Sequence, residues 1–438
     1  MMKTWTEPDI PCLGELPELR LFDSSTGEMV RIGSEVRASG ANAVPRLYTC
    51  GITPYDATHL GHAFTYVCAD TLMRYWIAGG KAPLYAQNIT DIDDPLFERA
   101  RDTEVNWREL ADSQIELFRS DMELLEVQPP RHWVAVSEIV DELEAEVRQL
   151  EARGMTYRLG SAGGSEDIYL DLAGDPKFAS APVFGKLDLA REFDEHGGDS
   201  TRPGKRHPLD PMIWKGVRGN DFQPAGLEPG AWRPGWHIEC AVIARDHLGA
   251  DITVQAGGRD LLFPHHEMSE SHLRELTDGK GRVQLHFHVG MVAYDGEKMS
   301  KSLGNLVRVS QLVERGVDPQ VVRLVLLAHH YRADWEYTEA ELNAAGERLE
   351  LWRGAAAALR QQEQAQSEAE SQPAEPLSEA QSQPAQTRGG VQALAERLAD
   401  DLDTPGTLKL VDEIARAGRL DAGLLRAIKA LLGIDLLR

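Results

Sequence analysis

The pattern of apolar and polar residues predicts a strand, a helix and a second strand early in the chain. Residues 46–50 form a short apolar run that ends at Gly51, and residues 83–90 form another. Between them, apolar side chains recur at helical spacing from residue 61 to residue 77. A strand, a helix and a strand in this order make one βαβ unit, which implies a parallel sheet. The sequence therefore predicts an α/β fold.

The pattern also predicts the elements in the rest of the chain. It indicates charged helices over 96–153, an edge strand at 168–172, a mobile loop rich in Gly, Pro, Asp and Arg over 192–234, strands at 252–255 and 285–289, and helices after residue 310. Ligands of parallel sheets bind at the carboxyl ends of the strands. The residues expected at those ends include 50–62 and 88–91.

These elements divide the chain into six predicted regions. Residues 361–390 consist of Gln, Ser, Ala, Glu and Pro with almost no apolar bulk, so a disordered linker is expected there. The full division is 1–115 and 206–310 for two halves of an α/β core, 116–205 for an inserted connective region, 311–360 for a helical domain, 361–390 for the linker and 391–438 for a C-terminal helical unit.

Composition narrows the class of protein. The chain has 438 residues, of which 42% are hydrophobic, and a net charge of −24. Proteins that track a phosphate backbone usually display a basic surface, so this charge argues against a large nucleic-acid partner. No run of about 18 apolar residues occurs and the first eight residues hold no apolar stretch, so neither a membrane span nor a secretory signal is predicted. We expect a cytoplasmic protein.

A metal site is the first chemical hypothesis. The only cysteines are Cys12, Cys50, Cys68 and Cys240, too few and too widely spaced for a disulfide framework, so reduced thiols are expected. Cys50, Cys240 and His265 could bind one zinc ion and leave its fourth position open, as catalytic zinc sites do. Alternatively, Cys50 and Cys240 are small buried hydrophobes, which is our interpretation of Cys12 and Cys68.

The second chemical hypothesis is a nucleotide site. His59 and His62 stand at the N-terminus of a predicted helix, where anions bind, and side chains three residues apart project to the same side. Lys298 and Lys301 could neutralise a leaving pyrophosphate. The turn at 257–260 follows a strand, and its glycines would let an adenosine approach the backbone. Taken alone, each segment is more simply a capped helix, a solvated loop or a glycine turn.

Taken together, these segments resemble the core of class I aminoacyl-tRNA synthetases. Thr58-His59-Leu60-Gly61-His62 is similar to the HIGH signature, and Lys298-Met299-Ser300-Lys301-Ser302 matches KMSKS. Up to about residue 350 the chain resembles the cysteinyl branch, on the segments Cys50–Thr53, Asn88–Asp94, Gly235–Cys240 and Phe263–Glu267. The resemblance implies a Rossmann-type parallel sheet core with an inserted connective region and a helical C-terminal region.

The chain is similar more closely still to the mycothiol biosynthesis ligases. The segments that carry this likeness are Cys50–Ala63, Asp93–Ala100 and Arg233–Trp236. The likeness implies that ATP activates L-cysteine as cysteinyl-AMP, and that the amine of glucosaminyl-inositol then takes the cysteinyl group to form an amide. It implies one Zn²⁺ per chain, ATP with Mg²⁺ and no tRNA partner, and we expect a monomer.

The resemblance also implies a role for each site residue. His59, His62, Lys298 and Lys301 would be catalytic and would stabilise charge on the phosphates, while the substrate thiolate would take the open zinc position. Thr53, Thr90 and Trp236 would contact the amino acid. The adenylate would contact Thr65, Asn88, Gly258, Asp260 and Val292. Cys50, Gly51, Ile52, Ile89 and Arg259 complete the predicted binding site.

Three positions depart from the related patterns. Cysteinyl-tRNA synthetases have a carboxylate as a fourth zinc ligand where this chain has Ser269, a poor ligand, so three ligands are expected. The neighbouring Glu270 would project about 100° away on a helix. The ERGGDP-like signature of the ligases is Glu195-His196-Gly197-Gly198-Asp199-Ser200 here, and Arg259 stands where a small residue is common.

Two alternatives remain open at this point. A cysteinyl-tRNA synthetase would share the first half-reaction and differ in the acceptor. A non-catalytic paralogue would bind cysteine or nucleotide and regulate another process.

Overall fold

The predicted βαβ unit opens the core. A computed structural model describes residues 2–32, 44–55, 58–161, 164–216, 233–299, 304–370 and 384–438. Its first elements are β1 (Leu19–Asp23), β2 (Glu28–Ile32), β3 (Arg46–Thr49), α1 (Leu60–Ala78) and β4 (Leu84–Ile89). β3 and β4 pair in parallel with Arg46 opposite Leu84, which confirms the prediction.

The chain continues through short strands and helices. The middle of the chain contains α2 (Asp94–Asp102), α3 (Trp107–Leu124), β5 (His132–Ala135), α4 (Val140–Ala152), β6 (Thr156–Gly160), β7 (Glu166–Leu170), α5 (Leu189–Glu195), β8 (Met212–Lys215), β9 (Arg233–Pro234), α6 (Trp236–Leu248), β10 (Asp251–Ile252), β11 (Val254–Gly258), α7 (Glu267–Leu276), β12 (Arg282–Val283), β13 (His286–Val289), β14 (Val292–Tyr294) and β15 (Glu297–Lys298). The C-terminal part contains α8 (Val309–Glu314), α9 (Pro319–Leu327), β16 (Trp335–Glu336), α10 (Glu339–Glu370), α11 (Pro384–Ala399), α12 (Thr404–Arg416) and α13 (Ala422–Leu432).

The core sheet has the order β13-β11-β3-β4-β5 and is parallel throughout. Its strands are almost entirely buried, as is usual where helices cover both faces of a parallel sheet. Because parallel strands end at the same edge, the loops after β3, β4 and β11 converge there. No helix among the described residues is long and apolar enough to cross a membrane.

The prediction of continuous helices over 96–153 was wrong at β5. This strand pairs with β4 at the edge of the core sheet, with Trp133 opposite Gln87. Pro129 and Pro130 prevent the preceding helix from continuing, and Trp133 and Val134 favour extended backbone. The four-residue strand is too short to produce a clear periodic signal.

The described part of the segment from β6 to β9 is more ordered than predicted. β6, β7, β8 and β9 form an antiparallel sheet in that order, so the strand predicted as an edge at 168–172 lies inside the sheet. The predicted mobile loop at 192–234 contains the end of α5 and both β8 and β9, because the apolar run Met212–Trp214 forms a strand within a polar composition. Residues 217–232 of that prediction lie outside the described residues.

The predicted linker is partly helical. α10 extends to Glu370, and α11 begins at Pro384, so only residues 371–383 of the predicted linker lie outside the part of the chain that the structure describes. Residues 361–370 contain mainly Gln, Glu and Ala, which have high helix propensity even where they bury nothing. The composition therefore correctly indicated that these side chains are not buried. It wrongly indicated that the segment is not helical.

Buried charges attach the C-terminal helices to α1. Asp70 and Arg74 on α1 form an ion pair at 2.7 Å, and Arg323 from α9 also binds Asp70. The Nη1 of Arg74 donates to the carbonyl of Lys429 at 3.2 Å, and the Nε of Arg323 donates to that of Leu432 at 2.6 Å. All three charged side chains are almost fully buried, so these bonds hold the end of α13 against the middle of α1.

A buried carboxyl on α3 gives a pH-dependent prediction. Burial raises the pKa of Asp121 to about 7, although the Ser310 N–H and Arg308 oppose the shift. The folded state therefore keeps a proton that the unfolded chain releases between about pH 4 and pH 7, so the free energy of unfolding falls as pH rises through that window. We expect Asp121→Asn to be roughly 1–3 kcal/mol more stable than wild type at pH 8 and similar to it at pH 4.

Urea unfolding at both pH values measures this difference. Asp112→Asn, on the exposed face of the same helix, is the matched control and should show no such pH-dependent gain. A constant difference between Asp121→Asn and wild type from pH 4 to pH 8 would contradict the assignment.

Candidate active site

The structure brings Cys50, Cys240 and His265 together at the carboxyl edge of the sheet. Cys50 follows β3, Cys240 lies in the second turn of α6, and His265 lies between β11 and α7. Their ligand atoms are all within 4.8 Å of one another, and all three residues are buried. The Cys240 Sγ and the His265 Nε2 are 3.3 Å apart. The chain thus supplies two thiols and one imidazole to a single point, although they are far apart in sequence.

The chemistry of these donors fits a zinc ion. Burial raises the pKa of the Cys50 thiol, and the neighbouring Cys240 raises it further. Burial also opposes ionisation of Cys240, but hydrogen bonds with Cys50, His265 and Tyr48 outweigh it and hold its pKa well below the usual range. Zinc binds thiolate and imidazole ligands, and three protein ligands leave one position for a substrate.

Ser269 and the neighbouring Glu270 both have partners outside the cluster of three donors. The hydroxyl of Ser269 donates to the carbonyl of His237 at 3.2 Å. Glu270 contacts Arg274 at 3.0 Å and His286 at 3.1 Å, so it is engaged elsewhere. Within the part of the chain that the structure describes, the cluster of Cys, His, Asp and Glu ligands consists of Cys50, Cys240 and His265 and does not include Glu270.

Removal of the Ser269 hydroxyl should therefore leave the metal in place. We expect Ser269→Ala to retain one zinc per chain and to change cysteine activation by less than about fivefold, because only one neutral hydrogen bond is lost. Metal analysis and cysteine-dependent ATP–pyrophosphate exchange measure both quantities. Loss of zinc from this variant would identify Ser269 as a fourth ligand.

Three histidines behind the ligands were not predicted. His237 Nδ1 lies 3.0 Å from His265 Nδ1, His266 Nε2 lies 3.2 Å from Cys50 Sγ, and His288 Nε2 lies 2.8 Å from His266 Nδ1. Burial lowers the pKa of His237 and of His266 well below the usual range, and that of His288 to about 3. Neutral imidazoles in such positions orient metal ligands. The alternation of His286 and His288 on one face of β13 was the available sequence signal.

A cavity of about 420 Å³ opens beside the three donors. Eleven predicted residues line it: Cys50, Gly51, Ile52, Thr53, His59, His62, Thr65, Trp236, Gly258, Asp260 and Val292. The lining residues that were not singled out are Tyr55, Gly61, Tyr66, Leu261, Gly290, Met291, Met299 and Leu306. Most of these unpredicted lining residues are apolar residues or glycines. They line the cavity because of tertiary contacts, which a local sequence pattern does not contain.

The two signature histidines form the start of α1. His59 is the N-cap, and its Nδ1 accepts a hydrogen bond from the Gly61 N–H at 3.0 Å. The Nδ1 of His62 accepts from the His59 N–H at 3.5 Å, and the two rings are 4.1 Å apart. Because each Nδ1 accepts, each ring carries its proton on Nε2 and can donate it to an anion. The pair thus combines helix capping with a phosphate-binding capacity.

Asn88, Ile89 and Thr90 lie behind the cavity wall. The Asn88 Oδ1 accepts from the Gly51 N–H at 2.8 Å, and its Nδ2 donates to the Thr90 hydroxyl at 3.0 Å. A Cβ on Gly51 would lie 1.7 Å from the Asn88 carbonyl oxygen, so only glycine allows this approach. Ile89 is fully buried in the core. These residues fix the floor of the cavity and do not line it.

Of the other predicted residues, some line the cavity and some lie outside it. The ring of Trp236 stacks on that of His265 with centroids 4.1 Å apart, so it borders both the cavity and the metal donors. Arg259 does not line the cavity, and its guanidinium binds Asp334 at 2.8 Å and the Arg332 carbonyl at 2.5 Å. The backbone of Lys298 belongs to β15, whereas its side chain and all of Lys301 lie outside the described residues.

The remaining cysteines behave differently from each other. Cys68 is buried on α1, as predicted. The prediction for Cys12 was wrong, because this residue is exposed. It belongs to an N-terminal segment that runs over the surface, where its carbonyl accepts from Arg426 at 2.9 Å.

Comparison with known proteins identifies the family. The family model described as "tRNA synthetases class I (C) catalytic domain" matches residues 37–347. The L-cysteine:1D-myo-inositol 2-amino-2-deoxy-alpha-D-glucopyranoside ligase of Beutenbergia cavernae is 46% identical over 450 residues, covering 99% of this chain and all of the relative. The protein of the same name from Xylanimonas cellulosilytica is 46% identical over 439 residues, with 99% and 100% covered.

Solved structures agree on the fold. The Mycobacterium tuberculosis methionyl-tRNA synthetase in complex with methionyl-adenylate has a TM-score of 0.59 and 16% identity, covering 89% of this chain and 88% of that one. An Agrobacterium radiobacter LeuRS in a ternary complex has a TM-score of 0.60 and 13% identity, with 90% and 84% covered. The chain has the class I synthetase fold and belongs to the family of L-cysteine:1D-myo-inositol 2-amino-2-deoxy-alpha-D-glucopyranoside ligases.

Proposed function

We propose that the protein is an ATP-dependent ligase that activates L-cysteine as cysteinyl-AMP and transfers it to the amine of glucosaminyl-inositol. One observation carries the proposal: Cys50, which belongs to one cluster of donors with Cys240 and His265, lines the same cavity as His59 and His62. A thiol-binding metal position and a phosphate-binding helix terminus therefore serve one substrate-sized space. Ligases of this name are 46% identical to the chain over nearly its full length, and this similarity supports the sugar amine as the acceptor.

Cysteine selection is assigned to the metal donors. A zinc ion bound by Cys50, Cys240 and His265 would supply an open coordination position for the substrate thiolate. Serine differs from cysteine by one atom, and a pocket that relies on shape rejects such mimics by only about 10². Trp236, stacked on His265, places an apolar wall beside this position and limits access of water.

In the first half-reaction, a carboxylate oxygen of cysteine attacks the α-phosphorus of ATP, and pyrophosphate leaves with the electrons of the broken P–O bond. His59 and His62 would donate their Nε2–H groups to phosphate oxygens as charge shifts onto them. Lys298, Lys301 and Mg²⁺ would share this task in our proposal. Asp260, which follows the glycines of β11 and lines the cavity, is suited to accept ribose hydroxyl hydrogen bonds.

In the second half-reaction, the sugar amine nitrogen attacks the carbonyl carbon of cysteinyl-AMP. The C–N amide bond forms, AMP leaves, and the amine loses a proton. The chain contributes mainly position, because Asn88 and Thr90 hold the floor of the cavity and the neutral histidines hold the metal donors.

A product assay separates the acceptors. Incubation with L-cysteine, ATP, Mg²⁺ and glucosaminyl-inositol should give cysteinyl-glucosaminyl-inositol and AMP in equal amounts, detected by mass spectrometry. A parallel reaction with tRNA should give no cysteinyl-tRNA. Charging of tRNA without use of the sugar would favour a cysteinyl-tRNA synthetase, and no cysteine-dependent ATP–pyrophosphate exchange would favour a non-catalytic paralogue.

We also propose a monomeric protein of the cytoplasm. All four cysteines are free thiols, and the two predicted metal ligands among them need to stay reduced. Gel filtration with light scattering should give a mass near the 48.5 kDa of one chain.

A further inference from the structure

We propose that the C-terminal helical unit is part of the nucleotide site, and that Asp401 is the positioning residue that connects them. Asp401 lies between α11 and α12, whereas the cavity is formed by the core. This inference rests on the proposed use of the cavity for ATP. It assigns a binding role to a region of the chain that lies beyond the synthetase family match at 37–347.

The turn that carries Asp401 is strained. Asp401 has a φ of 59° and Leu402 a φ of 50°, two consecutive non-glycine residues in the left-handed region. This backbone conformation is unfavourable for a residue with a Cβ, and a leucine side chain has no polar group to form a compensating local hydrogen bond. Both side chains are nevertheless buried, at 6% and 2% exposure. Contacts made by the turn must offset this cost.

Those contacts hold two parts of the core. The Oδ1 of Asp401 accepts from the Phe22 N–H at 2.9 Å and from the Tyr331 hydroxyl at 2.6 Å. Its Oδ2 forms an ion pair with Arg332 at 2.5 Å. The Asp401 N–H donates to the Arg20 carbonyl at 2.8 Å. One carboxylate thus connects the C-terminal unit to β1 and to residues 331–332.

Residues 331–335 in turn support the cavity wall. The Gly290 N–H donates to the Tyr331 carbonyl at 2.7 Å, and the Met291 N–H donates to the Asp334 carboxylate at 2.8 Å. The Trp335 N–H donates to the Met291 carbonyl at 3.1 Å. Gly290, Met291 and Val292 all line the cavity.

Residues 290–292 of the cavity wall are packed tightly against residues 331–335. A Cβ on Gly290 would lie 2.1 Å from the Ala333 carbonyl oxygen, so the two segments are in close backbone contact. The Phe287 ring also stacks on Tyr331, with centroids 4.2 Å apart. A shift of Tyr331 is therefore transmitted to Gly290 and to the residues that follow it. These residues adjoin the helix that His59 caps, because Val292 lies near Gly61.

The experiment compares ATP and cysteine affinities in full-length variants. Asp401→Asn keeps the shape and tolerates the left-handed backbone, and Tyr331→Phe keeps the ring stack while it removes one hydroxyl. Asp412→Asn is the matched control, because Asp412 is a buried carboxylate of α12 whose partners Arg348 and Trp352 lie on α10 and do not line the cavity. Calorimetric titration with ATP alone and the two KM values in ATP–pyrophosphate exchange are the readouts.

We expect Asp401→Asn and Tyr331→Phe to weaken ATP binding and raise the KM for ATP about five- to twentyfold, because only part of the free energy of a charged hydrogen bond is transmitted to the cavity wall. The KM for cysteine and the zinc content should stay within about twofold of wild type, and Asp412→Asn should change none of these values. ATP affinity within about twofold of wild type in both variants would overturn the proposal, whether or not their stability falls. Because the titration needs no turnover, wild type that binds ATP without exchange would refute the proposed function alone.

Discussion

Replacement of Cys240 by alanine is expected to remove zinc from the protein and to lower cysteine activation by at least about 10³-fold. The variant retains one thiol and one imidazole, which are too few donors for a stable zinc site. It also removes the thiol that ionises most readily, because hydrogen bonds with Cys50, His265 and Tyr48 outweigh burial and hold the pKa of Cys240 low. Elemental analysis of the purified protein and ATP–pyrophosphate exchange with cysteine measure the two losses separately.

Two cysteines supply controls for this variant. Cys68→Ala removes a buried thiol that belongs to α1, and Cys12→Ala removes an exposed thiol. Both should keep full zinc content, and Cys68→Ala should lose only the stability of a small buried group, roughly 1 kcal/mol. Full zinc occupancy in Cys240→Ala would show that the metal is bound at another site.

The core of this fold could be predicted from the sequence because its signals are local. The helix at 60–78 has a clear period, the strands at 46–49 and 84–89 lie in short apolar runs on either side of it, and the loops after these strands hold chemically distinctive residues. The parallel arrangement then brings Cys50 to the same edge as β11 and the residues that follow it. This is why a zinc site could be proposed from three residues far apart in the sequence, and why the structure brings their donor atoms within 4.8 Å.

What the sequence did not reveal depends on tertiary contacts. β5 is a strand because it pairs with β4, and its four residues have no period of their own. Arg259 is predicted to belong to the binding site, and its guanidinium pairs with Asp334, 75 residues later, a contact that the motif does not contain. Asn88 and Thr90 are predicted to contact substrate, and the structure adds that they bind the backbone of Gly51 and Ile52. Motif membership therefore does not distinguish the residues that line the cavity from those that lie behind them.

Simultaneous replacement of His59 by serine and His62 by glutamine is expected to slow adenylation by about 10³-fold while leaving the fold intact. His59 accepts from the Gly61 N–H, and His62 accepts from the His59 N–H, so the pair caps α1 reciprocally. Serine at the N-cap and glutamine three residues later can form the same capping box. The variant thus removes both imidazole donors to phosphate and retains the helix terminus.

The two consequences are measured independently. The free energy of unfolding should stay within about 1 kcal/mol of wild type, since capping contributes about that much and is preserved. The rate constant for pyrophosphate exchange should fall far more than the KM for ATP rises, because donors aimed at developing charge act mainly in the transition state. A His59→Ala/His62→Ala variant, which lacks the caps as well, should be slower and also less stable. If the serine–glutamine variant exchanged pyrophosphate within about tenfold of wild type, the histidines would be capping residues only, and the charge on the phosphates would have to be stabilised by the lysines and Mg²⁺ alone.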